Sequence, residues 1–200
     1  SNLPKRHVHL CKRRPCAPIM KKLTIINHAL SELGMEAITG ISDNNVAGIL
    51  DTKLSVLMPI LLQSALWNFA MKFKSDKTPM QNPITPKFKY SYSLPNDYGR
   101  FIKLASNFDD FLIMDGFICS DSRPFEYYYL VNSVDYEAMP VEFAYILGLY
   151  VAAESAIAIT RNVQLAQYLT QKFEREKNKA RLTDDMERII SPIRTSFFDR

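Results

Sequence analysis

At 200 residues and 23.0 kDa the chain has the length of one ordinary domain. With 47% hydrophobic and 23% charged residues it carries enough apolar material for a core, which excludes intrinsic disorder and a collagen-like repeat. Six glycines against eleven prolines leave little for loops that let a backbone approach a phosphate, so a nucleotide enzyme is disfavoured.

The net charge of +4 resides in the first 19 residues, where Lys5, Arg6, Lys12, Arg13 and Arg14 are unopposed; beyond them 20 basic residues face 21 acidic ones. The body is near neutral. Residues 1–19 contain no apolar run of signal-peptide length, and Met20-Lys21-Lys22-Leu23 reads as a natural start followed by a helix. They are therefore expected to be a disordered basic leader, either foreign to the protein or a native tail. His7, His9, Cys11 and Cys16 are zinc-ligand types, but their spacing lacks the pairs that close a tetrahedral site, and no metal is expected. Three cysteines in all argue for a reducing compartment rather than a disulfide framework.

From Lys21 to Met35, Leu23, Ile26, Ala29, Leu30 and Leu33 fall on one helix face, with Gly34 placed as its C-cap. Ser42-Asp43-Asn44-Asn45 supplies N-cap candidates for a second helix, expected to reach about Phe73 through Trp67, Phe69 and Ala70 and to be kinked or divided by Pro59. Between Lys74 and Pro140 the helical period is lost. Phe88 to Leu94 alternates as a strand with one buried face, Phe101 to Ala105 follows, and Phe111–Met114 and Phe117–Cys119 flank Asp115-Gly116 as a type I′ hairpin. With Glu126 to Val131 these form a small antiparallel unit over residues 84–134. Val141 to Arg161 is apolar nearly all round, but Glu154 near its middle marks it as a buried core helix rather than a membrane span. Gly148, Ala152 and Ala156 give that helix one face for close approach. The last helix, Val163 to about Ile190, turns densely charged after Phe173, and half of it is expected to project from the core, supported by pairs such as Lys172/Glu176 and Asp184/Arg188. Pro192 ends it, and the adjacent Phe197 and Phe198 look like partner-binding anchors.

Little points to catalysis. His28 is the one histidine outside the leader, and the nucleophile-elbow, Walker, HExxH and Rossmann patterns are missing. The acid pairs Asp109-Asp110, Asp184-Asp185 and Glu32/Glu36 are expected to be solvated, so no enzyme and no cofactor is anticipated. Lys87, Lys89, Tyr90 and Tyr92 put cations beside aromatic rings as single-strand binders do, but sheet packing explains the same alternation, and a neutral body does not suit a dedicated DNA reader.

Three blocks carry a resemblance. The first is Ile25-Ile26-Asn27-His28-Ala29-Leu30-Ser31-Glu32-Leu33-Gly34, followed at a distance by Ala65-Leu66-Trp67-Asn68-Phe69-Ala70. The second is Tyr90-Ser91-Tyr92-Ser93-Leu94-Pro95-Asn96-Asp97-Tyr98-Gly99-Arg100, and the third is Met139-Pro140-Val141-Glu142-Phe143 opening a small-residue helix before a long charged one. In this order, over roughly residues 20–190, the chain resembles the head-to-tail connector (adaptor) proteins of tailed phages, of the tail tubular protein A type.

The resemblance implies a mainly α fold: one antiparallel helical bundle over 20–190 with a small antiparallel β insertion between its second and third helices. It also implies a structural virion protein, assembled in the host cytoplasm as a ring, twelvefold in this type. The ring sits beneath the portal protein and above a tail tube or nozzle protein, with DNA only in transit and no membrane partner. A docking tail over 191–200 would then place Ile193, Arg194, Phe197, Phe198 and Arg200 on the portal. Leu94, Pro95, Asp97 and Arg100 are expected to form a structural corner in which Asp97 pairs with Arg100, and Glu174, Arg175, Lys177, Lys179 and Arg181 to face another subunit or partner. The rival expectation is a small cellular helical module that binds a protein through its C-terminal helix and tail; ring formation separates the two.

Overall fold

The computed structural model describes residues 22–80, 83–105 and 110–190. The leader with its His7, His9, Cys11 and Cys16, the start at Met20, Asp109, and the tail residues Ile193, Arg194, Phe197, Phe198 and Arg200 lie outside the described residues.

Helix α1 spans Lys22–Glu32 and buries Ile25, Ile26, Ala29 and Leu30. Gly34 ends it with φ 72°, and the Met35 N–H reaches the Leu30 carbonyl at 2.9 Å while Gly34 N–H reaches Ser31 at 3.0 Å, a Schellman cap. The side chain of Asn27 then exchanges hydrogen bonds with the backbone of Ile38 at 3.0 and 2.9 Å, pinning the following loop. Helix α2, Asn45–Ser64, is capped by the Asn44 side chain, which accepts from Val46 N–H at 2.8 Å. It runs unbroken through Pro59. The donor that proline lacks would have met the carbonyl of Ser55, an exposed residue, where solvent can serve that acceptor.

The second helix stops nine residues short of Phe73. The indole of Trp67 folds back to donate to the Leu61 carbonyl at 2.9 Å and the Ser64 hydroxyl donates to the same carbonyl at 2.8 Å, while Ala65 turns extended. Trp67 and Phe69 instead meet Phe143 edge-on, with centroids 5.1 and 4.9 Å apart. The chain then enters a strand that periodicity had assigned to the helix.

Six strands follow: β1 Met71–Asp76, β2 Tyr90–Ser93, β3 Tyr98–Leu104, β4 Phe111–Met114, β5 Phe117–Ser120 and β6 Phe125–Val131. They form two antiparallel three-stranded sheets, β1-β6-β3 and β2-β5-β4. With the helices beside them, six strands in two sheets make the architecture an α+β fold, which corrects the expectation of a mainly α bundle with one small insertion. The β region also begins at Met71 rather than at residue 84, because β1 pairs along its whole length with β6. The two sheets meet through aromatic rings: Phe101 with Phe111 at 4.6 Å and Tyr92 with Phe125 at 5.9 Å.

In β2 both Ser91 and Tyr92 are buried, against the one buried face expected. The segment before β2 folds over it: Met80 N–H donates to the Ser91 carbonyl at 2.9 Å and Ile84 N–H to the Ser91 hydroxyl at 3.0 Å. The β4–β5 hairpin turns on Asp115 and Gly116 at φ 50° and 78°, the positive pair a type I′ turn needs.

Helix α3, Val141–Thr160, is the buried core helix, with ten buried residues including Gly148, Ala152 and Ala156. At Gly148 the His28 ring of α1 comes so near that an added Cβ would lie 2.5 Å from it. Arg161, left-handed at φ 55°, ends α3, and α4, Val163–Ile190, returns along it.

Candidate interaction surface

Two of the three anticipated functional groups fall within the described residues, the corner between β2 and β3 and the charged run of α4. At the corner, Leu94 N–H donates to the Gly116 carbonyl at 3.0 Å, Tyr98 N–H closes a turn on Pro95 at 3.0 Å, and Asn132 N–H reaches the Asp97 carbonyl at 2.9 Å. The first bond lies at the end of the β2-β5-β4 sheet and the last at the end of the β1-β6-β3 sheet, so the turn between them is where the chain crosses from one sheet to the other. The Asp97 carboxylate receives the Lys72 ammonium at 2.6 Å and the Tyr129 hydroxyl at 3.0 Å. The Lys72 hydrogen bond holds it below the usual carboxylate range, while burial, then the hydrogen bond to Asp97, push Tyr129 up to about 12. The expected Asp97–Arg100 pair does not form. Arg100 stands exposed across from Leu130, and Lys72 of β1 takes its place.

Among its described residues helix α4 has none buried after Phe173, yet it is tied to the core as far as Asp184. Lys172 donates to both carboxylate oxygens of Glu32 at 2.7 and 2.8 Å, tying α4 to α1. This replaces the expected Lys172/Glu176 pair, and Glu32 is bound rather than solvated. One residue on, Phe173 stacks on Tyr150 of α3 at 4.5 Å with planes 8° apart. Further along, both carboxylate oxygens of Asp184 accept from Asn68 N–H at 3.2 and 3.0 Å, and the Asn68 amide donates to the Asp184 carbonyl at 2.9 Å. Asp184 is therefore committed to the link after α2; the side chain of Arg188, its expected partner, lies outside the described residues.

Between these anchors one face of α4 remains open. Lys177 pairs with Glu174 at 2.7 Å and lies over the Phe173 ring at 4.9 Å, and Arg175 meets Glu176 at 3.2 Å. Among the described residues Lys179 and Arg181 are exposed and have no ion-pair partner. The structure thus places Glu174, Arg175, Lys177, Lys179 and Arg181 on a single fixed helix, as a ridge of mixed charge.

Clefts flank the ridge. On one side Trp67, Phe69, Phe143, Ala180 and Asp184 enclose about 190 Å³, continued by a cleft of about 370 Å³ under Tyr145, Glu176 and Lys179. On the other, Ile60, Tyr150, Glu154, Phe173 and Lys177 line about 200 Å³. Sequence reasoning missed these clefts, because they open only where α4 packs beside α3 and, in two of them, beside α2 or the link after it.

His28 holds a packing position. It stacks on Tyr145 at 4.8 Å, and burial lowers its pKa, the nearby Glu32 opposing and Lys172 assisting. Cys119 is buried in β5 with its sulfur 3.3 Å from the Ser91 hydroxyl. Among the described residues no three His, Cys, Asp or Glu side chains converge as a metal-binding set. Compared with protein-family models and with curated proteins, the chain matches none.

Proposed function

We propose that this protein is a structural adaptor, a head-to-tail connector subunit that assembles with copies of itself into a ring and joins a portal protein to a tail tube or nozzle protein. On this reading it is a virion component with no catalytic role, and DNA passes through the ring without being read.

The observation that carries the proposal is the anchoring of α4. An adaptor must present a surface that keeps its geometry while bearing load between two partners, and α4 is held at Lys172–Glu32, Phe173–Tyr150 and Asp184–Asn68 while Lys179 and Arg181 stay exposed. Aromatic and aliphatic clefts on both sides offer sites for inserted anchors. The near-neutral body supports passage of DNA over retention, since retention grows with the number of phosphates neutralised.

Light scattering of the full chain, alone and mixed with the portal ring of the particle it comes from, tests the proposal. A ring-sized species bound to the portal is the expected result. A chain that stays monomeric alone and ignores the portal overturns the adaptor reading in favour of a single-copy protein-binding module.

A further inference from the structure

The outward face of α2 is unusual for a solvated helix. Asn45, Gly48, Ile49, Thr52, Ser55, Val56 and Ile60 are exposed along it, and with Pro59 and Gln63 they fall within one arc of the 3.6-residue helix. None is charged. Asp51 and Lys53 flank the arc, and Asp51 is engaged by Lys22. Ile49, Val56 and Ile60 are 42%, 55% and 50% exposed, while the opposite side of the helix already fills the core with Leu50, Leu54, Leu57 and Leu61. Its two hydroxyls are already engaged: that of Thr52 donates to the Gly48 carbonyl at 3.0 Å and that of Ser55 to the Asp51 carbonyl at 3.1 Å.

Gly48 supplies a separate observation. Gly34 and Gly116 have positive φ, Gly148 makes room for His28, and a Cβ on Gly99 would lie 3.0 Å from the β6 backbone. Gly48 lies inside a helix, where glycine is disfavoured, and a Cβ there would meet nothing within 4 Å. Among the described residues nothing uses the space, which suits the close approach of another backbone.

We propose that this face of α2 is the contact between neighbouring copies in the ring, and that its occupant is the first half of α4 of a second copy. Charge selects that occupant. From Val163 to Gln171 α4 has no charged residue, and Val163, Gln164, Gln167, Tyr168 and Gln171 are exposed, beside the exposed Ile157 at the end of α3. An uncharged face matches an uncharged face without stranding an ion. Two different patches meeting head to tail make a heterologous contact, which closes into a ring when the rotation permits. This rests on the adaptor reading and names its lateral interface.

The test uses the full chain and three variants, with mass measured by light scattering up to the solubility limit. Wild type is expected to form species larger than a dimer. Val56→Lys and Gln167→Lys, each disabling one patch at an exposed position, are each expected to stay monomeric with an unchanged circular dichroism melt. Mixed in equal amounts they are expected to give dimers and nothing larger, since each retains the patch the other lost. Gly48→Ala is expected to weaken assembly while raising the melting temperature of the monomer.

Wild type that associates while Val56→Lys associates equally overturns the α2 contact and leaves the adaptor reading standing. Dimers of Gln167→Lys alone overturn the choice of α4, pointing to a symmetric contact of α2 with itself. Wild type that stays monomeric both alone and with the portal overturns both. Monomer that binds lipid vesicles through α2 without associating makes a membrane the occupant and overturns the proposal.

Discussion

Lys172 and Glu32 meet across 140 residues of sequence with both carboxylate oxygens engaged, and their side chains are only 18% and 17% exposed. The pair is one of three attachments that hold α4 against the core. Although burial works against the charge on Lys172, the hydrogen bond and charge of Glu32 outweigh it and raise the lysine pKa. Glu32→Ala is expected to cost about 2 kcal/mol, as for a charged hydrogen bond that leaves its partner without an acceptor. Glu32→Leu with Lys172→Met should recover most of that, because replacing both ions removes the uncompensated charge. Urea unfolding of the three proteins checks the order. Since the folded lysine pKa is raised, this stabilisation is fully present below the ordinary value of 10.5 and is lost as pH climbs through the folded one.

His28 gives the opposite sign. Burial between α1 and α3 disfavours its charged form, so the folded pKa lies below the ordinary value of 6.5. Well above pH 6.5 both states are neutral and no ionisation penalty is felt. As pH falls below that, the unfolded chain takes up a proton that the folded one resists, and stability declines until the folded pKa is passed. Glu32, which raises the pKa, and Lys172, which lowers it, are the charges facing the ring. Melting temperature measured from pH 7.5 to 5 should fall more steeply for the wild type than for His28→Gln. Equal slopes would remove His28 from the account.

Much of this was written locally. The apolar spacing of Leu23 to Leu33 with Gly34 after it, and Asp115-Gly116 between two apolar runs, each declare an element within a dozen residues, and both elements form as read. Strand β1 was hidden because Trp67, Phe69 and Ala70 continue the apolar spacing of α2, while in fact Trp67 and Phe69 form an aromatic cluster with Phe143 of α3. The available signal was the alternation of Lys72 and Lys74 with Met71, Phe73 and Ser75. The charged half of α4 was legible as exposed, but not its anchoring. Nothing near Lys172 or Asp184 in sequence names Glu32 or Asn68 as partner, because those contacts exist only once α1 and the end of α2 have docked on α3.

The corner at Asp97 separates an expected pair from an observed one. Asp97→Ala removes the acceptor of both Lys72 and Tyr129 and is expected to destabilise by about 1 to 2 kcal/mol, whereas Arg100→Ala, at an exposed site, should change stability by less than about 0.5 kcal/mol. Lys72→Met should share most of its effect with Asp97→Ala when the two are combined. Because the Asp97 pKa is lowered, the wild-type advantage over Asp97→Ala is present above pH 3.8 and is lost as pH falls through the folded value. Denaturation midpoints followed from pH 7 down to about pH 2 measure it, and an advantage that persisted undiminished over that whole range would assign the stability of the corner to its backbone bonds alone.

The attachment of Asp184 to Asn68 bears most directly on the adaptor reading, because it fixes the part of α4 that carries Lys179 and Arg181. Two carboxylate contacts to one N–H and a return bond from the Asn68 amide make it a clamp rather than a single contact. Asp184→Ala is expected to remove about 1.5 to 3 kcal/mol of local stability, the range for hydrogen bonds to a charged group. The loss should be regional, since Lys172–Glu32 and Phe173–Tyr150 still hold the first half of the helix. Amide exchange is the suitable measurement: protection should drop at Asn68 and along α4 beyond Lys177, while Ala166 to Phe173 keep theirs. If that loosened α4 bound the portal as tightly as wild type, rigidity of the ridge would have no part in docking, and the clefts beside it would have to carry the contact.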